Sequence, residues 1–173
     1  MSASGTGAAA AQDRAGASPR LVAVPGAGGN GRRPAPRPTR VVVFLGIADD
    51  ARSRVAAALL THRAKGRVLA TSASPATVDP DPAVAASLAE LGVDLAGCAS
   101  QAPSAELLDG AELVVVMGYA ELDSLDGRRT EDWCIDDPRG KDPDAIRCIR
   151  DAIDRRVQRL LLRMGVPVPT RPH

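Results

Sequence analysis

Two unbroken apolar runs limit what this chain can become. Val41–Leu45 (VVVFL) and Leu113–Met117 (LVVVM) contain no polar position. A strand with one face in water alternates apolar and polar residues, whereas a strand covered on both faces has no need to. Both runs are therefore expected in a parallel sheet with helices on either side. Helical segments follow at the right places. Arg52–Arg63 comes after the first run, and Pro82–Leu91 after a second strand at Arg67–Thr71; a fourth strand is expected at Glu131–Ile135. A long final helix spans Pro143 to Met164, where Ile146, Ile149, Ile153, Val157, Leu160 and Met164 recur at intervals of three and four. That spacing marks one core-facing stripe, and Arg150, Asp154, Arg155 and Arg159 are assigned to the solvated face. The architecture this predicts is a three-layer α/β sandwich around a four-stranded parallel sheet of the flavodoxin-like class.

The remaining sequence divides simply. Residues 1–39 are rich in Ala, Gly, Pro, Ser and Arg, with Pro34, Pro36 and Pro38 spaced against any helix, and a disordered tail is expected there. Residues 40–165 form the one domain, and 166–173 a flexible C-terminus. The tail contains Gly26-x-Gly28-x-x-Gly31 after a short apolar run, the spacing of a dinucleotide fingerprint. That motif needs a helix immediately after it to receive the pyrophosphate, and "GRRPAPRPTR" does not supply one. No nucleotide cofactor is expected.

Composition narrows the partners. A chain of 173 residues that is 45% hydrophobic suffices for one core, and a net charge of +1 gives no electrostatic case for nucleic acid or a membrane surface. Phe44, Tyr119 and Trp133 are all the aromatics, too few for a base-stacking platform. Cys98, Cys134 and Cys148 are odd in number and widely spaced, which argues against a disulfide framework and against a metal site. No apolar run approaches the roughly 20 residues of a membrane span. The segment "GTGAAAAQDRAGASPR" lacks the apolar centre of a secretory signal, so a cytoplasmic location is expected.

The loop after the first strand, Gly46–Ser53 (GIADDARS), is the default ligand site of such a fold. A strand leading into a helix N-terminus presents unpaired N–H groups and a partial positive charge. Arg52 adds a guanidinium fork suited to two oxygens of phosphate or arsenate, and Ser53 a hydroxyl aimed at an anion in the loop. A blander alternative is that Arg52 and Ser53 only open the helix. Asp49 and Asp50 oppose an anion: a like charge about 4 Å away costs on the order of 4 kcal/mol at an effective dielectric of 20.

Taken together, the motifs resemble the low-molecular-weight tyrosine phosphatase superfamily, and within it the thiol-dependent arsenate reductases of the mycothiol-linked actinobacterial type. The residues that carry the likeness are Arg52-Ser53 with "VAAALL", "SASP" (Ser72–Pro75), "LAELGVDLAG" (Leu88–Gly97), "ELLDGAELVVVMG" (Glu106–Gly118) and "EDWCIDDPRGKDPDAIRCIRDAIDRRVQRLL" (Glu131–Leu161). The resemblance spans Val41 to Met164. It implies an anion cradle at Ile47, Ala48, Asp49, Asp50, Ala51, Arg52 and Ser53, and a general acid at Asp137, before Pro138. It also puts the family's nucleophilic cysteine on Gly46 and its loop-ordering asparagine on Asp49. A glycine has no side chain to form a phospho- or arseno-cysteine intermediate.

None of the other cysteines replaces it in this reading. Cys134 would approach from the side of the acid, Cys148 is expected as a small packed residue of the last helix, and Cys98 sits in a loop. "MGYAELDSLDG" holds no cysteine for an internal disulfide relay. His62 is expected to face solvent. The leading expectation is a catalytically degenerate family member that binds a small oxyanion, phosphate or arsenate, or regulates an unidentified protein partner. Mycothiol or another external thiol enters only if the chain is active. The alternatives are an active reductase or phosphatase with an unforeseen nucleophile, and a module that binds a protein or a hard cation through Asp49 and Asp50.

Overall fold

The computed structural model describes residues 40–46, 51–75, 81–118 and 125–168, all within the unit Pro34–His173. The expected tail and its glycine motif lie outside them. The apolar runs become β1 (Val41–Gly46) and β4 (Leu113–Met117), the two central strands of a sheet ordered β3-β2-β1-β4-β5. The others are β2 (Leu69–Ala73), β3 (Ser100–Gln101) and β5 (Thr130–Asp132). Every neighbouring pair is parallel. Between the strands run α1 (Ala51–Ala64), α2 (Pro82–Ala89) and α3 (Ala105–Asp109), with α4 (Pro143–Arg163) last.

The sheet therefore has five parallel strands rather than four. The extra one, β3, is two polar residues long and carries no hydrophobic pattern. It is held by its ladder to β2 and by the Ser74 N–H, which donates to the Gln101 carbonyl at 2.9 Å. Boundaries moved by one or two residues at most elements, and β2 begins at Leu69 rather than Arg67. The loop residue Ala51 is the first residue of α1.

Alternation along the strands divides the core. Val42, Phe44, Val115 and Met117 face one way and pack with α1, α2 and α4. Val43, Leu45, Ala73 and Val114 face the other way, against Leu107 and Leu108 of α3. α1 is buried over most of its circumference, from Val55 through Leu60, because its alanines admit both the sheet and α4 at close range. It stops at Lys65 and Gly66, which take left-handed backbone (φ 48° and 80°). α2 and α4 begin on Asp81 and Asp142, whose carboxylates accept first-turn N–H groups, each followed by Pro at the first helical position. Trp133, just past β5, closes the core edge-on against Phe44, with ring centroids 5.6 Å apart.

Three expectations fail on α4 and beyond it. Arg150 and Asp154, assigned to solvent, are buried. α4 packs on both α1 and α2, so the covered arc is wider than the apolar stripe. The buried charges are paired, as burial requires. Arg150 donates to the Ser87 carbonyl at 2.6 Å and to Glu90 at 2.8 Å, while Asp154 takes both arms of Arg63. Cys148, expected to be packed, is exposed, on the side of α4 away from Ile146 and Ile153. Val166, placed in a flexible C-terminus, is buried in the core. Arg155, Arg159 and His62 are exposed.

Candidate anion site at the carboxyl end of the sheet

Strand order reverses at β1: the chain moves outward to β2 on one side and returns to β4 on the other. Ligands of open α/β sheets bind in the crevice outside the carboxyl ends at such a point. β1 ends there with Gly46, buried and paired with Met117 of β4. α1 begins at Ala51. Ile47, Ala48, Asp49 and Asp50 lie outside the described residues. The first turn of α1 carries no acidic side chain, so among the described residues nothing there offsets the partial positive charge of its N-terminus.

Arg52 is half-buried on that first turn, and its Nη1 donates to the Ile135 carbonyl. This bond brings the segment after β5 to the crevice, and Asp137 with it. The Asp137 carboxylate accepts the Arg139 N–H at 3.0 Å and the Arg139 Nε at 2.9 Å. Burial alone would raise its pKa. The Arg139 side chain, the Arg139 N–H and the charge of Arg52 outweigh burial and hold the carboxyl below the usual range. At neutral pH Asp137 is a carboxylate, whereas the acid role that the resemblance implies requires a proton on it.

Ser53 is fully buried. Its hydroxyl lies 2.9 Å from that of Ser72 on β2, which in turn lies 3.2 Å from Ser100 on β3. A file of hydroxyls thus ties α1 to two strands. Ser74 follows β2 directly; it is 2% exposed and its Oγ has no hydrogen-bond partner among the described residues. The sequence placed Ser74 inside a matching motif without giving it a role. The signal available was the alternation Ser72-x-Ser74 at a strand end.

The cysteines lie elsewhere. Cys98 is half-buried after α2, its carbonyl accepting from Arg54 at 3.1 Å, and burial pushes its thiol pKa up. Cys134 is exposed, 3.8 Å from an Asp132 carboxylate oxygen. Among the described residues no group of three or more His, Cys, Asp or Glu side chains is placed to hold a metal ion. Nor is any described helix long and apolar enough to cross a membrane.

Comparison with known proteins agrees with this arrangement. Residues 41–166 match the model of the low molecular weight phosphotyrosine protein phosphatases. This chain belongs to that family. It is 30% identical over 122 residues to a Halobacterium salinarum protein described as "Putative arsenate reductase", a match covering 66% of this chain and 85% of that one. The thioredoxin-dependent arsenate reductase of Corynebacterium glutamicum superposes with a TM-score of 0.63 at 26% identity, over 76% of this chain and 64% of that structure. An arsenate reductase in its phosphate-binding state has the same fold, with a TM-score of 0.62 at 23% identity, over 72% of this chain and 98% of that one.

Proposed function

We propose that this family member holds a small tetrahedral oxyanion, phosphate or arsenate, at the carboxyl end of β1 without turning it over through a cysteine thiolate. Gly46 carries the reading. The strand ends without a side chain where covalent chemistry needs a thiolate beneath the anion. The exposed Cys134 follows β5 rather than β1, and Cys98 has its thiol pKa raised. Asp137 stands across the crevice with its carboxylate held by Arg139.

Anion binding is supported by Arg52, by a first turn of α1 without acidic side chains and by the phosphate-binding state of a protein with this fold. The cradle is assigned to Gly46 through Ser53. No mycothiol or other external thiol is required. We place the protein in a reducing, cytoplasmic compartment, in keeping with its three free thiols.

The test is a melting curve with and without millimolar phosphate, arsenate and sulfate, run beside an aryl phosphate assay. Ligand at about 100 times its dissociation constant stabilises by about 2.7 kcal/mol, so a clear upward shift is expected, with no hydrolysis. Hydrolysis at a rate abolished by Asp137→Ala would establish an active enzyme instead.

A further inference from the structure

We infer that Ser74 is a ligand-contacting residue of this site, its hydroxyl bonding an oxygen of the bound oxyanion. The inference rests on the oxyanion reading above and names a contact that reading does not contain. Buried hydroxyls are almost always paired, because an unpaired one forfeits the bonds it made to water. The Ser74 N–H is satisfied by the Gln101 carbonyl, yet its Oγ is sealed from solvent with no partner among the described residues. Such an atom marks a position where a bound group completes the structure.

Two features of the fold say where it points. Ser74 follows β2 directly, two residues after Ser72, whose hydroxyl meets Ser53 in the first turn of α1; an extended chain there keeps the two on one face. Ser74 lies two residues further toward the carboxyl end of the sheet, where α1 has its N-terminus. The register also matters. Leu45 pairs with Ala73, and Gly46 and Ser74 are the next residue of each chain. Gly46 has no side chain to occupy the space beside the hydroxyl. The orphan hydroxyl and the helix N-terminus therefore converge on one small volume. A hydroxyl donates to an ionised oxygen and accepts from a protonated one, so phosphate, arsenate and sulfate all qualify.

The experiment compares the full-length chain with its Ser74→Ala variant by melting without ligand and by calorimetric titration with inorganic phosphate. Without ligand, Ser74→Ala is expected to melt at or above the wild-type temperature, since the deletion removes a buried unpaired group. Its phosphate affinity should fall about tenfold, as for a hydrogen bond to a charged partner. Equal phosphate affinity in the two proteins overturns the Ser74 contact alone and leaves the oxyanion site standing. Melting of ligand-free Ser74→Ala below wild type also overturns it, because the hydroxyl would then already be paired. Absence of any phosphate response in the wild type removes the oxyanion reading and the Ser74 contact together.

Discussion

At Asp137 two local bonds from Arg139 hold the side chain in place. The pair Asp137-Pro138 is plain in the sequence, and so is the turn it belongs to: the Asp137 side chain accepts the N–H two residues on, and Gly140 follows with φ of 66°. The sequence left open whether the Arg139 side chain folds back onto the carboxylate or extends into solvent, since both are sterically free. Replacing Arg139 with Ala removes one charge and the Nε and Nη2 contacts to the carboxylate, leaving burial opposed by the backbone N–H and Arg52. The Asp137 carboxyl should then titrate at higher pH, readable by carbon-detected NMR. The cost in stability at neutral pH is expected to stay under about 1 kcal/mol, since the pair is partly exposed and screened by solvent. Gly46 invites the reverse substitution. A thiol placed there by Gly46→Cys would sit close to the N-terminus of α1, whose partial positive charge favours the thiolate. Alkylation followed by mass spectrometry should find it modified near pH 6.5, faster than Cys134, and protected by phosphate. A rate no faster than that of Cys134 would show that the helix field does not reach the strand end.

Elements were legible where apolar periodicity was strong and illegible where polar groups did the holding. β1, β4 and α4 follow from their apolar spacing to within one residue. β3 has no such signal, because its two residues are fixed by backbone bonds to β2 rather than by packing. The file Ser53–Ser72–Ser100 was equally hidden, since serines distant in sequence announce nothing about sharing a face. The α1–α4 seam shows the same limit. The ion pair of Arg63 with Asp154 joins residues 91 apart, both side chains mostly buried, and Gln158 adds a bond at 2.8 Å. Deleting one member strands the other. Asp154→Ala is expected to cost about 3 kcal/mol in urea unfolding, near the lower end for broken buried pairs. The double change Arg63→Met with Asp154→Leu should recover most of that loss, because it removes both desolvation costs at once. A double variant no better than the single one would mean that the pair itself holds α1 to α4.

Across the whole molecule, α4 is fastened at both ends by carboxylates, which makes its docking sensitive to acid. Near its start Arg147 and Arg150 grip Glu90 of the turn after α2, and at its end Arg163 grips Glu131 of β5. Hydrogen bonds from Arg147 and then Arg150 pull the Glu90 carboxyl from 4.5 down to about 2. Burial works to raise Glu131, but bonds from Arg163 and Trp133 overcome it and leave that group lowered as well. A carboxyl whose folded pKa lies below its unfolded value binds fewer protons folded than unfolded. Its contribution is complete above the unfolded value and disappears as pH falls through the folded one. The melting temperature should therefore be level from pH 7 to about 5 and drop between about 4.5 and 2. Glu90→Gln isolates the larger part of this. The variant should melt below wild type at pH 7, with the two curves converging as pH falls below 4.5 and meeting near pH 2. A constant gap down to pH 2 would assign the Glu90 effect to packing or neutral hydrogen bonding, and the acid sensitivity would have to come from Glu131 and Asp137.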